Sequence, residues 1–200
     1  MPEMYDSLAK LLRRKKSFTV SEAEEQGVSR QQLSLYCRQG RIERLARGLY
    51  SPPGLEINPH FDIELLAKKQ SNFVVCLLSA LRIHNFTTQL PLSLWIAIPH
   101  GARLPKLEFA TLSCIRLTRK PYEYGIETHD LHGVKVKVYS AAKTVADCFK
   151  FRNKIGMDVA LEALREGYRL KLFTVSELMD AAAICRITKI ITPYVESLFS

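Results

Sequence analysis

Glutamine and arginine side chains fall on one side of the segment 29–39, and in DNA-binding proteins these side chains hydrogen-bond bidentately to adenine and guanine edges in the major groove. At about 100° per residue, one arc of a helix over this segment holds Leu33, Tyr36, Cys37 and Gly40. The opposite arc carries the polar side chains and one leucine: Gln31, Ser34, Leu35 and Arg38, with Arg30 at its edge. The pattern predicts a helix that buries one face and offers base-reading groups on the other, where Leu35 could touch a thymine methyl group.

Further cations flank this segment and suit contacts with phosphates, which fix position on a duplex without reading its sequence. On its C-terminal side these are Arg41, Arg44 and Arg47, and on its N-terminal side they are Arg13, Arg14, Lys15 and Lys16. A basic cluster at the end of a helix also interacts favourably with the helix dipole without any ligand. The spacing therefore makes these cations candidates for phosphate binding.

Helix-start signals place the predicted reading helix second in a helix-turn-helix. Leu8, Leu11 and Leu12 follow a helical period, which predicts a first amphipathic helix. A short second helix starts at one of two alternative capping boxes, Thr19-x-x-Glu22 or Ser21-x-x-Glu24, and ends near Gly27. A third box, Ser29 with Gln32, starts the next helix, which runs to about Gln39 and stops at Gly40.

A β-hairpin wing and a domain boundary follow. The segments 42–45 and 49–51 are strand-like, Arg47-Gly48 forms the turn between them, and their imperfect alternation predicts a bulge. Breaks at Pro52-Pro53-Gly54 and at Asn58-Pro59 predict a winged helix-turn-helix domain over 1–54 and a second domain over 55–200.

The second domain shows a mixed pattern, so the expected fold class is α+β. Predicted elements are helices at 61–70 and 72–84, strands at 94–98, 112–117 and 133–139, and about four helical segments after Ser140.

Composition favours a soluble protein with a polyanionic partner. The 200 residues carry a net charge of +9, and a basic surplus favours phosphate neutralisation. The surplus is denser in residues 1–54, which hold 10 basic and 6 acidic side chains. The 5 cysteines are widely spaced without a C-x-x-C pair, which predicts buried thiols in a reducing cytoplasm. The N-terminus lacks the apolar region of a signal peptide, and no apolar run reaches spanning length, so we expect no membrane association.

Motifs for catalysis, metals or cofactors are sparse, and we predict neither an enzyme nor a cofactor. No Asp or Glu has a lysine two residues later, as a restriction-type nuclease core requires, and neither Gly-Ser nor D-x-D occurs, as a nucleotidyltransferase requires. The patterns of dinucleotide and nucleoside triphosphate loops are also missing. His129-Asp130-x-His132 is the one clustered ligand set, and without an identified third ligand it is better explained as a hairpin tip.

Several of these motifs together resemble the AbiEi antitoxin family. The resemblance lies in Gly27-Val28-Ser29, Gly40-Arg41-Ile42 and the run from Leu45 to Tyr50 (LARGLY), and it continues in 76–81 (CLLSAL) and 140–147 (SAAKTVAD). It implies a bacterial transcriptional autorepressor that binds double-stranded operator repeats upstream of its own operon. It also implies the antitoxin half of a type IV toxin–antitoxin, or abortive-infection, pair, with a nucleotidyltransferase-like toxin as functional partner. In that family the C-terminal domain contributes to both repression and neutralisation. The alternative is a protein-interaction module that contacts a toxin or another partner directly and does not use its winged helix for DNA.

Overall fold

The computed structural model describes residues 3–14, 17–54, 60–70, 72–105 and 111–198. The chain forms two compact units, one through Lys68 and one that begins at Lys69. Helices and strands occur in both, which confirms the α+β class. None of the helices in the described ranges combines the length and apolar composition that crossing a bilayer requires.

The first unit has the element order of a winged helix followed by one more helix. Its elements are α1 (Glu3–Arg14), β1 (Phe18–Thr19), α2 (Val20–Glu25), α3 (Arg30–Arg38), β2 (Glu43–Ala46), β3 (Leu49–Ser51) and α4 (Phe61–Lys69). The three strands form an antiparallel sheet in the order β1-β3-β2. A small apolar core lies between helices and sheet, and the rings of Phe18 and Tyr50 stack in it with centroids 6.0 Å apart.

Helix α4 packs on the winged-helix part of the first unit. Its Phe61 and Leu65 form a buried cluster with Leu49 of β3. Near its end, the Lys68 ammonium donates to the carbonyl oxygen of Ser17 at 2.5 Å and to its hydroxyl at 2.8 Å. The domain boundary predicted after Gly54 therefore lies just after the wing, whereas the first compact unit continues through α4 to Lys68. The predicted break at Asn58-Pro59 lies outside the described residues.

The second unit is built on a mixed sheet with helices packed on it. Its elements are β4 (Val74–Val75), α5 (Leu77–Ile83), β5 (Leu94–Pro99), β6 (Leu112–Leu117), α6 (Arg119–Glu123), β7 (Ile126–Leu131), β8 (Val134–Tyr139), α7 (Ala141–Lys150), α8 (Arg152–Ile155), α9 (Met157–Arg169), α10 (Val175–Cys185) and α11 (Thr188–Glu196). The strand order is β6-β5-β4-β8-β7, with β4 parallel to β8 and β5 parallel to β6. Helix α7 is buried at the centre of the core and packs against α5, α9, α10 and α11.

One predicted helix is wrong in its first half. We expected a helix over 72–84, but Val74 and Val75 form a strand and only Leu77–Ile83 is helical. The two valines pair with Ala97 and Ile96 of β5, and Val75 also pairs with Val138 of β8. Side chains buried on both faces of a central strand give a continuous apolar run, and such a run cannot be distinguished from a buried helix by its periodicity.

Candidate nucleic-acid interface

Each of the two helices in the helix-turn-helix begins at a capping box. At α2 the Thr19 hydroxyl accepts from the Glu22 amide at 3.3 Å, and the Glu22 carboxylate accepts from the Thr19 amide at 2.7 Å. The structure thus selects Thr19 over Ser21 as the cap. At α3 the Ser29 hydroxyl accepts from the Gln32 amide at 3.3 Å, and the Gln32 side chain accepts from the Ser29 amide at 2.6 Å, as predicted.

The turn between the two helices is closed by a glycine and one buried valine. Gly27 has φ +78°, a left-handed conformation that glycine adopts without a Cβ penalty. Its amide donates to the Glu24 carbonyl at 2.9 Å, and the Val28 amide donates to the Ala23 carbonyl at 2.9 Å. Val28 is 2% exposed and anchors the turn in the core, so the orientation of α3 relative to α2 is fixed by packing.

Helix α3 divides into the two faces that its sequence predicts. Leu33 and Tyr36 are buried at 0% and 4% exposure. Four side chains on the other face are exposed: Gln31, Ser34, Leu35 and Arg38. Leu35 is 48% exposed, one of the few large apolar side chains of the described chain to be so. The exposed face therefore combines two base-reading side chain types with an apolar group between them.

Arg30, at the edge of this face, has a partner that its sequence did not predict. Its guanidinium Nε donates to the Glu24 carboxylate of α2 at 3.0 Å, and the two side chains are 77% and 45% exposed. An exposed pair of this kind contributes little to stability and exchanges readily with other charges. The Glu24 carboxylate partly neutralises Arg30 and repels phosphates, so it lowers the contribution that Arg30 can make to binding a duplex.

The wing is a short hairpin that carries arginines. The register of β2 against β3 shifts between Arg44 and Ala46, which confirms the predicted bulge. Gly48, with φ +77°, lies in the turn beside Arg47 as predicted. Arg44 and Arg47 are exposed, whereas Arg41 is half-buried and its guanidinium lies 4.8 Å from the centre of the Tyr36 ring. Arg41 thus ties the start of the wing to the buried face of α3, which leaves Arg44 and Arg47 as the outward cations.

The basic end of α1 is described only in part. Arg13 is exposed on the helix. The side chain of Arg14, and both Lys15 and Lys16, lie outside the described residues. Their predicted phosphate contacts stay predictions.

Residues 6–53 match the model of the family described as "Transcriptional regulator, AbiEi antitoxin". That family is one of regulators and antitoxins, not of enzymes. The matched AbiEi segment spans α1 to the wing and so contains every described side chain of the exposed α3 face. No curated protein matches the chain. The crystal structure of RV2827C protein from Mycobacterium tuberculosis is similar with a TM-score of 0.49 and 14% identity, over 92% of this chain and 82% of that chain.

Outside the matched AbiEi segment, the cluster His129-Asp130-x-His132 lies at the hairpin between β7 and β8, as its sequence predicts. His132 has φ +51° and lies with Gly133 in the β7–β8 turn, whereas His129 lies within β7. Two residues that sequence reasoning missed, His84 and Glu127, lie beside His129 instead. Four consecutive polar residues hid this strand, and the available signal was the alternating strand 134–139, which follows it through the His132-Gly133 turn.

The cysteines have the character of core residues. Cys76, Cys148 and Cys185 are buried, and Cys37 and Cys114 are partly buried. Burial raises the pKa of the Cys185 thiol to about 12, with the nearby Asp147 carboxylate acting in the same direction. Burial also raises the pKa of the thiols of Cys76 and Cys148. Since the thiolate is the nucleophile and metal ligand, these three thiols are unreactive in the folded unit.

Proposed function

We propose that the first unit binds duplex DNA in a sequence-specific manner through the exposed face of α3, and that the protein represses transcription of its own operon. The observation that carries this proposal is the placement of Gln31 and Arg38 on the outer face of a capped helix whose inner face is buried. The match of residues 6–53 to a family of transcriptional regulators supports it.

The side chains divide by role. Arg38 and Gln31 lie on the reading helix, where a bidentate pair with a base edge contributes about 1–3 kcal/mol of discrimination. Arg44 and Arg47, exposed on the wing, contact phosphates and add affinity for any sequence. Each neutralised phosphate makes the slope of log affinity against log salt more negative by about 0.9.

The antitoxin role is the finer part of the proposal. We infer that the protein is the antitoxin of a type IV pair, acts in the bacterial cytoplasm without catalysis, and counteracts a nucleotidyltransferase-like toxin encoded beside it. The support is the antitoxin description of the matched family. Deleting the gene in the presence of its neighbour should arrest growth, and complementation with this chain should restore it.

Binding measurements with matched arginine variants test the DNA-binding proposal. A fluorescein-labelled duplex from upstream of the gene is titrated with protein, in parallel with a shuffled duplex of equal length. We expect Arg38→Ala to weaken binding to the upstream duplex by about 5- to 150-fold and to leave the shuffled duplex almost unaffected. Arg47→Ala should weaken binding to both duplexes alike and reduce the salt slope by about 1.

Arg165→Ala provides the charge control, because Arg165 is an exposed arginine on α9 of the second unit. It should bind both duplexes as the wild type does. Equal losses in Arg165→Ala and Arg38→Ala, or equal affinity of wild type and Arg38→Ala for the upstream duplex, would contradict base recognition by α3.

A direct contact with a protein partner is the second candidate function. Leu90 and Leu92 precede β5 in the second unit and are 79% and 100% exposed. Exposed apolar residues that lie close together occur at protein-binding surfaces. Co-purification with the neighbouring gene product, lost on Leu92→Ser and retained on Leu35→Ser, would favour this candidate. Retention of the partner by both variants, or no co-purification at all, would count against it.

A further inference from the structure

Three metal-ligating side chains of the second unit converge where α5 meets the edge of the sheet. His84 follows the last residue of α5, and Glu127 and His129 lie two residues apart on the edge strand β7. One ligand atom from each lies within 4.8 Å of the others. Within the described ranges, this is the one group of three such side chains.

The register of β7 explains why two of them point the same way. Glu127 pairs with Val138 and His129 with Val136, and both valines are buried. Paired residues of an antiparallel ladder share a face, so the carboxylate and the imidazole lie on the face of the sheet that carries these two buried valines. Thr128 and Asp130, which alternate with them, pair with Lys137 and Lys135, so these two cations lie on the opposite face.

A backbone hydrogen bond fixes the chemistry of His84. Its Nε2 lies 2.7 Å from the carbonyl oxygen of Tyr139, the last residue of β8. A carbonyl only accepts, so Nε2 carries the proton and the lone pair is left on Nδ1. Histidines that bind metals generally donate their other N–H to a carbonyl or carboxylate, which fixes the tautomer and the ring orientation. Its ring also contacts His129 edge-on, with centroids 5.1 Å apart.

The spacing of the other two ligands fits a tetrahedral ion. His129 Nε2 lies 3.3 Å from the nearer carboxylate oxygen of Glu127. Ligands at about 2.0–2.1 Å from Zn²⁺ are about 3.4 Å apart in a tetrahedron. Both side chains are partly exposed, 28% for His129 and 49% for Glu127, so small rotations can bring them closer to His84.

We propose that His84, Glu127 and His129 form a binding site for a divalent transition-metal ion, best suited to Zn²⁺. Two histidines and one carboxylate are a ligand set that holds Zn²⁺ with a fourth position open to water or another ligand. Since His129 and Glu127 are both partly exposed, the fourth position can be reached by solvent. The site is independent of the proposed DNA binding, and its test requires no DNA.

Metal titration of the full chain tests the site. Metal-free protein is titrated with Zn²⁺ by calorimetry, and with Co²⁺ followed by absorption spectroscopy. We expect one ion per chain and the visible absorption of a tetrahedral Co²⁺ centre, without the near-ultraviolet thiolate band that cysteine ligands produce. Removing a residue that only hydrogen-bonds to a metal ligand typically weakens metal affinity by roughly 10- to 100-fold. His129→Ala and Glu127→Gln each remove a direct ligand, so each should weaken Zn²⁺ affinity by more than this.

His132→Asn is the matched control, because His132 lies in the neighbouring turn and asparagine tolerates its positive φ. It should bind Zn²⁺ as the wild type does, and Zn²⁺ should raise the melting temperature of wild type and His132→Asn but not that of His129→Ala. If metal-free wild type and His129→Ala melt at the same temperature, the loss of Zn²⁺ binding in His129→Ala is not a folding defect. If His129→Ala melts at a lower temperature, the Zn²⁺ affinity of the surface variant Glu127→Gln is the measurement that tests the site. Sub-stoichiometric binding, a thiolate band, or an equal loss in His132→Asn would overturn the proposal.

Discussion

Replacing Lys143 by methionine tests whether the core of the second unit depends on a buried ion pair. Lys143 and Asp147 lie one turn apart on α7 with no exposed side-chain surface, and the ammonium donates to the carboxylate at 2.5 Å. The other carboxylate oxygen accepts from the Cys185 thiol at 3.3 Å. The ammonium also lies 4.2 Å from the centre of the Tyr139 ring. Each charge is therefore compensated mainly by the other.

Removing one partner leaves a buried charge without compensation, which costs about 3–5 kcal/mol. We expect Lys143→Met to lower the free energy of unfolding of the second unit by this amount. With a urea slope of about 2 kcal/mol/M, the midpoint falls by about 1.5–2.5 M. Replacing both partners, as in Lys143→Met/Asp147→Leu, should recover most of the lost free energy of unfolding. The two apolar side chains have similar volumes to the originals, so they pack in the core and leave no buried charge.

The single tryptophan provides the readout. Trp95 lies on β5 and packs against the core of the second unit, so its fluorescence reports the unfolding of that unit in urea. Arg169→Met is the matched control: Arg169 pairs with Glu166 at 2.7 Å on α9 while 65% exposed, and its loss should cost less than about 1 kcal/mol. A loss below about 1 kcal/mol for Lys143→Met, or a double variant as unstable as the single one, would refute the reasoning.

Three further predictions concern a cap, a glycine and the thiols. Ser29→Ala should destabilise the first unit by about 1 kcal/mol and speed hydrogen exchange in α3, whereas Ser21→Ala, outside the observed capping box, should change stability by less than about 0.5 kcal/mol; equal effects would contradict the assigned cap. Gly125→Ala should lower the melting temperature, because at φ +69° a Cβ would lie 2.9 Å from the Cβ of Lys143; an unchanged melting temperature would show that the neighbours give way freely. Ellman's reagent should modify the partly buried thiols of Cys37 and Cys114 in the folded protein. The three buried thiols should react only after denaturation, and fast modification of all five would contradict the assigned burial; these three are Cys76, Cys148 and Cys185.

The winged helix was predictable because its signals are local. Capping boxes, helix-ending glycines and the Arg47-Gly48 turn act within a few residues, so the sequence of the first 54 residues predicted α2, α3 and the wing. The choice between Thr19 and Ser21 as the cap of α2 needed the structure, because both are followed by a glutamate three residues later and so both match the capping-box pattern. The exposed face of α3 followed from its periodicity, while the pairing of Arg30 with Glu24 depends on how α2 and α3 pack.

The second unit shows where prediction from sequence ends. Strand β4 is only two residues long and owes its conformation to partners on β5 and β8, which are distant in the chain. The same long-range pairing brings His84 to Glu127 and His129. Strand β7 lies at the edge of the sheet and has four consecutive polar residues between Ile126 and Leu131, so it lacks the alternation that predicts a half-buried strand. Contacts of this kind depend on topology and not on local propensity.

Methylation protection on the upstream duplex tests the central claim most directly, because dimethyl sulfate modifies guanine N7 in the major groove, where arginine binds guanine. Wild-type protein should protect one or more guanines, and Arg38→Ala, at a concentration that still saturates the duplex, should leave at least one of them reactive. Arg165→Ala should give the wild-type pattern. An unprotected duplex under saturation by wild type, or a pattern unchanged by Arg38→Ala, would contradict major-groove recognition by α3.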